Sequence, residues 1–400
     1  MSKKLIISQI RFKDKPCLAT AIFDEEVNRI IELQISSKDK ENILGNIYVG
    51  KVQKVATHLN AAFVDIKPNF SCYYPLNKNK MPYITSIPKR DAIRAGDELL
   101  VQVSTEAIKG KIPTVTAHLN FSGQYVALTI GKSGIGVSNK LDEDSKMRLK
   151  ELLVPYVTDD ASLIVRTNAV SASEEELIKD TKKVIKRWES VHHLGKTRTC
   201  YSLIDEAILD CIVILKGIKR SELTEIITDD KDTHDYLQDY INDNQVNCAT
   251  NLRYYEDKLL SLSKLYSVES TLENALQEKV WLKSGGFLII QQTAAFVAID
   301  VNSGKFQSKK DANQTYQRVN TEAALEIAIQ LRLRNLSGII LIDFINMALE
   351  NDQEQLLESL QRYLRHDNVK AVVIDITPLH IVEVTRKKAK KSLVEQIADI

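Results

Sequence analysis

Apolar residues along this 400-residue chain fall into short runs separated by polar turns, and the spacing inside each run sorts strands from helices. Near the N-terminus, Leu5-Ile6-Ile7, then residues 18–23, then Ile30-Ile31-Glu32-Leu33 read as three strands with polar turns between them. They are too few to enclose a core, so they are expected to pack on a later part of the chain. Residues 43–120 place strands on either side of a turn at 57–60 and add a further apolar run at 99–103, a pattern that suggests a small barrel. The Pro- and Lys-containing stretch 77–90 reads as a loop. Next come a strand at 125–130, the Gly-rich segment GKSGIGVSNK, a helix at 143–153 and a strand at 162–165 that ends in Arg166-Thr167-Asn168-Ala169. A helix at 173–191 opens on Ser173 and Glu176, a capping-box pair. Between 200 and 280 the pattern predicts helices at 202–209, 233–242 and 267–277, and strands at 211–215 and 222–227.

The clearest pattern lies between 287 and 347. Runs at 287–290 and 295–301 flank the turn-like Gln291-Gln292-Thr293, and their β-branched and aromatic content predicts a buried hairpin. From 311 to 336, Ala324, Ile327, Ala328 and Leu331 recur at helical spacing. Ile339-Ile340-Leu341-Ile342 is continuously apolar and breaks off at Asp343. Strand, helix and second buried strand make a βαβ unit, so Asp300 and Asp343 are expected at the same C-terminal edge of a parallel pair. Open α/β sheets bind ligands at that edge. Asn302, two residues after Asp300, shares its face. Either Asp alone reads as the cap of the next helix. Two carboxylates side by side repel unless a cation lies between them, and oxygen ligands with room for water and phosphate suit magnesium. The pair with Asn302 is therefore read as a metal site.

Composition narrows the class. The chain is 44% hydrophobic and 27% charged, as in soluble globular proteins, and no apolar run approaches the roughly 20 residues of a membrane span. The start, MSKKLIISQI, lacks the apolar core and cleavage site of a signal peptide. Cys17, Cys72, Cys200, Cys211 and Cys248 are scattered, with no CxxC pair, so neither a zinc site nor a disulfide framework is indicated and a reducing cytoplasm is expected. Net charge is only +1, so nucleic-acid binding would rest on local basic patches.

AIDVNSGKF followed by LRNLSGIILIDFINM resembles the catalytic segment of the ribonuclease E/G family. The resemblance implies that Asp300 and Asp343 hold one magnesium ion and that Asn302 orients the attacking water or the scissile phosphate. The family's second Asp of the DF motif is Asn346 here, and its Glu after the turn Thr is Ala294. GNIYVGKVQKV with AAFVDI resembles the family's OB-fold RNA-binding domain, which places RNA-contacting aromatics on Phe63 and Tyr73 and a loop lysine on Lys111. Phe63 sits inside an apolar run and reads equally as barrel core. LIVRTNA resembles the pocket for the 5′-monophosphate of RNA. Arg166 would meet the phosphate charge and Thr167 would add a hydrogen bond, with Gly134 and Val137 as the opposing loop. The basic run Arg386, Lys387, Lys388, Lys390 and Lys391 reads as a solvated helix face or, beside an anionic substrate, as backbone-phosphate contacts through Arg386 and Lys387.

The resemblance implies a multidomain α/β architecture. A split RNase H-like domain would occupy 1–40 and 206–278, an inserted OB-fold barrel 41–120 and a 5′-sensor domain 121–205. A DNase I-like α/β catalytic domain would occupy 279–400. It implies a cytoplasmic, magnesium-dependent endoribonuclease that cleaves single-stranded RNA by hydrolysis, leaving a 5′-phosphate and a 3′-hydroxyl, in RNA processing that includes ribosomal RNA. A homodimer is compatible with the family, but the sequence has no zinc-link cysteines to join two subunits. The alternative is a catalytically weak RNA-binding protein of the same fold.

Overall fold

The computed structural model describes all residues except 1, 39–42, 78–91, 108–111, 139–140, 159, 208, 219, 244–250, 305–311, 348–349 and 399. The chain forms two compact units, one of residues 1–40 with 210–400 and the other of residues 41–209.

The N-terminal runs form β1 (Lys3–Phe12), β2 (Lys15–Asp24) and β3 (Arg29–Ser37), an antiparallel meander. The second unit then opens with β4 (Ile47–Ala56), β5 (Ala61–Lys67), β6 (Phe70–Pro75), β7 (Glu98–Thr105) and β8 (Thr114–Thr116). Their order, β4-β5-β6-β8-β7 with β7 returning to β4, closes a five-stranded barrel. Even-numbered Ala62, Val64, Ile66, Cys72 and Tyr74 fill it.

The chain continues through β9 (Asn120–Ser122), β10 (Val126–Ile130), β11 (Gly134–Val137), α1 (Glu143–Leu153), β12 (Ala161–Val165), α2 (Glu174–Thr197) and β13 (Leu203–Asp205). A four-stranded sheet of order β11-β12-β10-β9 packs on α1 and α2. The Gly-rich segment expected to be a loop thus supplies a strand, parallel to β12. Ser173 and Glu176 form the capping box that opens α2.

Two expectations are overturned between 200 and 217. The stretch expected to be a helix at 202–209 contributes β13, which pairs with β4, and Asp205 receives Arg187 through Nε (3.0 Å) and Nη2 (2.8 Å). The stretch expected to be a strand at 211–215 lies in α3 (Asp210–Gly217). Cys211, Ile212, Ile214 and Leu215 are all buried there. A short, uniformly apolar run carries no period, and its neighbours decided its state.

The first unit resumes with β14 (Leu223–Thr228), α4 (Lys231–Asp243), β15 (Asn251–Tyr254), α5 (Leu262–Leu265) and α6 (Val268–Leu276). β14 and β15 extend the N-terminal meander in parallel, giving the order β15-β14-β1-β2-β3. The three N-terminal strands thus find their missing partners about two hundred residues downstream.

The remaining elements are β16 (Lys279–Trp281), β17 (Phe287–Gln292), β18 (Phe296–Asn302), α7 (Ala312–Leu333), β19 (Gly338–Asp343), α8 (Glu350–Leu364), β20 (Ala371–Ile376), β21 (Ile381–Arg386) and α9 (Leu393–Ala398). They form a sheet of order β16-β17-β18-β19-β21-β20, in which β18 and β19 run parallel and the other neighbours antiparallel. Val297, Ile299, Val301, Ile340 and Ile342 pack in one core with Ala323, Ala324, Ile327 and Leu331 of α7 and Leu360 of α8. The intervening residues on these strands therefore point to the other face. No helix among the described residues is long and apolar enough to cross a membrane.

Candidate active site

Asp300 and Asp343 are register partners on the parallel strands β18 and β19. Both side chains are exposed, because odd-even alternation turns them away from the core that buries Ile299, Val301 and Ile342. Asn302 sits on the same face and donates from Nδ2 to Asp300 Oδ2 at 2.6 Å. The two carboxylates and the amide that the sequence singled out are thus brought together, on the open face near the carboxyl ends of both strands.

Polar groups of α7 hold this edge in place. Asn320 of α7 is fully buried; it donates to the Ile345 carbonyl (2.7 Å) and accepts from the Ile345 amide (3.1 Å). That ties the segment leaving Asp343 to the helix. Glu322, half a turn further on, accepts from the amides of Lys283 (2.5 Å) and Ser284 (3.1 Å). Gly304, at φ +63°, lies so close to the Gly285 carbonyl oxygen that a Cβ would collide with it, and a Cβ on Gly286 would stand 2.7 Å from the Asn302 carbonyl. The SGG and NSG turns touch backbone to backbone, which explains why both are glycine-bearing. Sequence reasoning missed Asn320 and Glu322; the available signal was an amide, Asn320, on the apolar side of a helix, whereas Glu322 lies on the opposite side and gave none.

The two departures from the family pattern lie differently. Asn346 is exposed in the segment after Asp343. Ala294 lies in the turn before β18, six residues from Asp300 and therefore about 20 Å away. It is no part of this site.

A divalent cation suits the donor set. Two hard anionic oxygen ligands stand on adjacent strands, and the side chain hydrogen-bonded to Asp300 is an amide, Asn302, rather than a lysine or arginine. Among the described residues no group of three or more His, Cys, Asp or Glu could hold a metal.

On the barrel, Phe63 and Tyr73 are register partners on β5 and β6, half-buried, with ring centroids 6.5 Å apart and planes at 80°. Both alternate with the core residues and face outward, which resolves the choice between core and surface for Phe63. Exposed Lys54 of β4 is the partner of Phe63 on the other side, so a cation and two rings line up across three strands. Sequence reasoning missed Lys54. Lys111 and the loop 78–90 lie outside the described residues.

At the end of β12, Arg166 donates through Nη2 to Ser122 Oγ, and Thr167 Oγ1 lies 2.9 Å from Ser138 Oγ. Thr167 begins a short 3₁₀ turn (Thr167–Ser171) ahead of α2. Val137 is the register partner of Val165, so it stands beside Arg166. Gly134 is the partner of Ser162, at the opposite end of both strands and about 10 Å away. Arg166 and Thr167 are thus adjacent at the end of β12 beside Val137, but these hydroxyl partners lie on opposite sides of that strand, Ser122 on β9 and Ser138 after β11, and Gly134 is not beside them.

Arg386 requires correction as an RNA contact. Its guanidinium is buried, donating through Nε to Asp367 Oδ2 (2.7 Å) and through Nη1 to Asn335 Oδ1 (2.8 Å) and the Leu336 carbonyl (2.9 Å). It clamps the end of β21 rather than facing a substrate. Nor is the basic run a helix face: Arg386 ends β21, and α9 begins only at Leu393. Lys387 is exposed.

The chain matches known proteins over most of its length. Residues 120–389 match the model of the Ribonuclease E/G family. Ribonuclease G of Escherichia coli (strain K12) and of Salmonella typhimurium (strain SL1344) are each 32% identical over 375 residues, covering 90% of this chain and 76% of theirs. Ribonuclease E of Synechocystis sp. is 31% identical over 400 residues, covering 97% of this chain and 58% of its own. A match of that extent, taking in the strands that carry Asp300, Asn302 and Asp343, means that the chain belongs to the ribonuclease E/G family.

Proposed function

We propose that this chain is a magnesium-dependent endoribonuclease that cleaves single-stranded RNA by hydrolysis in RNA processing. The observation that carries the reading is the register match of Asp300 with Asp343, with Asn302 hydrogen-bonded to Asp300. Magnesium on this pair would polarise a phosphoryl oxygen and lower the pKa of a bound water. The protein's own contribution is positional. Asn302 spends one Nδ2 proton on Asp300 and keeps its second proton and its carbonyl for the water or the scissile phosphate. Asn320 fixes the exit of β19, two residues beyond Asp343. In-line attack of water at phosphorus would leave a 5′-phosphate and a 3′-hydroxyl.

Phe63, Tyr73 and Lys54 would hold the RNA strand on the barrel, two rings for bases and a cation for phosphate. A guanidinium and a hydroxyl on adjacent residues at the end of β12, just ahead of α2, support a site for a terminal 5′-monophosphate, which offers more charge and more free oxygens than an internal phosphodiester. The Arg166→Ala variant should then cleave 5′-monophosphorylated and 5′-hydroxyl RNAs at equal rates, while the wild type prefers the monophosphate.

The test of the central reading is cleavage of a short 5′-labelled single-stranded RNA with and without magnesium. Wild type should cut only with the metal. Asp300→Asn and Asp343→Asn should bind the RNA and fail to cut it, since each keeps its size and loses one anionic ligand. Wild-type turnover by either variant overturns the metal site. Binding without cleavage by the wild type would leave an RNA-binding protein of this fold.

A further inference from the structure

The face that carries Asp300 and Asn302 continues across β17 to the edge strand β16. The register there is Trp281 with Phe287 and Phe287 with Asn302, while Lys279 pairs with Ile289 and Ile289 with Asp300. Two parallel rows therefore run across the sheet, one ending on Asn302 and the other on Asp300. Val280, between Lys279 and Trp281, packs against the core on the other side, so Lys279 and Trp281 share the face of the carboxylates.

Three side chains on this face form one cluster. The Trp281 and Phe287 rings meet edge to face, centroids 5.4 Å apart. The Lys279 ammonium lies 3.8 Å from the Trp281 centroid and 3.9 Å from that of Phe287. Despite these contacts Trp281 is 65% exposed. An indole that wet has gained little of its burial free energy. Lys279 holds one side of the two rings and leaves indole surface open to solvent.

We propose that Lys279, Trp281 and Phe287 form a nucleotide subsite for the RNA substrate, with a base stacked on Trp281 and a backbone phosphate beside Lys279. The inference rests on the reading of the chain as an RNA-cleaving enzyme. Stacking on an exposed aromatic next to a cation is how single strands are held without reading sequence. Trp281 stands two strand spacings, about 10 Å, from Asn302, which suits a nucleotide close to the scissile phosphate. The subsite would fix which phosphate reaches Asp300 and Asp343. It therefore acts on substrate affinity and cleavage position, not on the hydrolytic step.

The experiment uses the full chain. Trp188 and Trp281 are its two tryptophans, so Trp188→Phe leaves Trp281 as the sole indole reporter. In a Trp188→Phe, Asp343→Asn background, saturating single-stranded RNA should quench and shift Trp281 emission, with saturation followed by the anisotropy of labelled RNA. In the otherwise wild-type enzyme, Trp281→Ala should raise KM roughly five- to hundredfold, leave kcat nearly unchanged and redistribute the cleavage positions. Trp281→Phe should recover part of the KM; Trp281→Leu, apolar but without a π-face, should not. If the cluster only protects the sheet edge, the melting temperature moves and KM and cleavage positions do not. Unchanged emission at saturation, or wild-type KM and cleavage positions in Trp281→Ala, overturns the subsite while leaving the nuclease reading intact. A wild-type protein that neither binds nor cuts RNA overturns both.

Discussion

Replacing Arg386 with alanine separates structure from RNA contact within the basic run. Arg386 and Asp367 have side chains only 3% and 5% exposed. The guanidinium meets Asp367 through Nε at 2.7 Å and Nη2 at 3.5 Å, and its Nη1 serves both Asn335 Oδ1 and the Leu336 carbonyl. Asp367 Oδ1 also accepts from the Val369 amide at 2.8 Å. Removing the guanidinium leaves a buried carboxylate without its cation and strands an amide and a carbonyl. Breaking one partner of a buried pair costs about 3–5 kcal/mol. For a unit of this size each kcal/mol lowers Tm by about 2–4 °C, so a fall of roughly 6–20 °C is expected by calorimetry or circular dichroism. Arg386→Lys should recover little, since an ammonium cannot reproduce the fork. Pairing Arg386→Met with Asp367→Leu should recover more than either change alone, because no charge is then buried unpaired. RNA affinity measured at a temperature where the variant is folded should match the wild type. An Arg386→Ala protein with wild-type Tm and weakened, less salt-dependent RNA binding would refute the reasoning and restore a phosphate contact.

Phe63→Ala should weaken single-stranded RNA binding by about 1–3 kcal/mol with the barrel's circular dichroism unchanged; loss of the fold would show that the ring is core after all. Burial pushes the Cys72 and Cys211 thiols up to about 12. Alkylation of the native protein at pH 8 should therefore spare both, and their modification before unfolding, by mass spectrometry, would mean that these cores open. Asp230 is buried, which opposes its charge, yet hydrogen bonds from Lys38 and from Thr233 at the start of α4 outweigh burial and hold its pKa below the ordinary carboxylate value. Its stabilisation is fully present above the unfolded pKa of about 4 and is lost as pH falls through the lower folded value. Asp230→Ala should cost about 1–2 kcal/mol near neutrality, and the gap from wild type in denaturant melts should close in acid; a gap independent of pH would refute the assignment.

The sheet edge that carries Asp300, Asn302 and Asp343 was legible from sequence because its logic is local. Two apolar runs joined by a helical period force parallel strands, and period-2 alternation then puts Asp300, Asn302 and Asp343 on one face. Capping at Ser173 and the turn at 57–60 were legible for the same reason: their partners lie within a few residues. What tertiary structure alone decided are facts about distant partners. AAFVDI carries no alternation to say whether Phe63 points in or out, and only closure of the barrel around Ala62 and Val64 turned it outward. CIVIL at 211–215 was equally at home in a strand or a helix. Arg386 looked like one charge in a basic run until folding brought Asp367 and Asn335 to its guanidinium. Trp281 gave no sign of its place because register, across two strand pairings, is what aligns it with Asn302. Spacing along the chain encodes which face a residue takes; only the pairing of strands far apart in sequence encodes what that residue meets there.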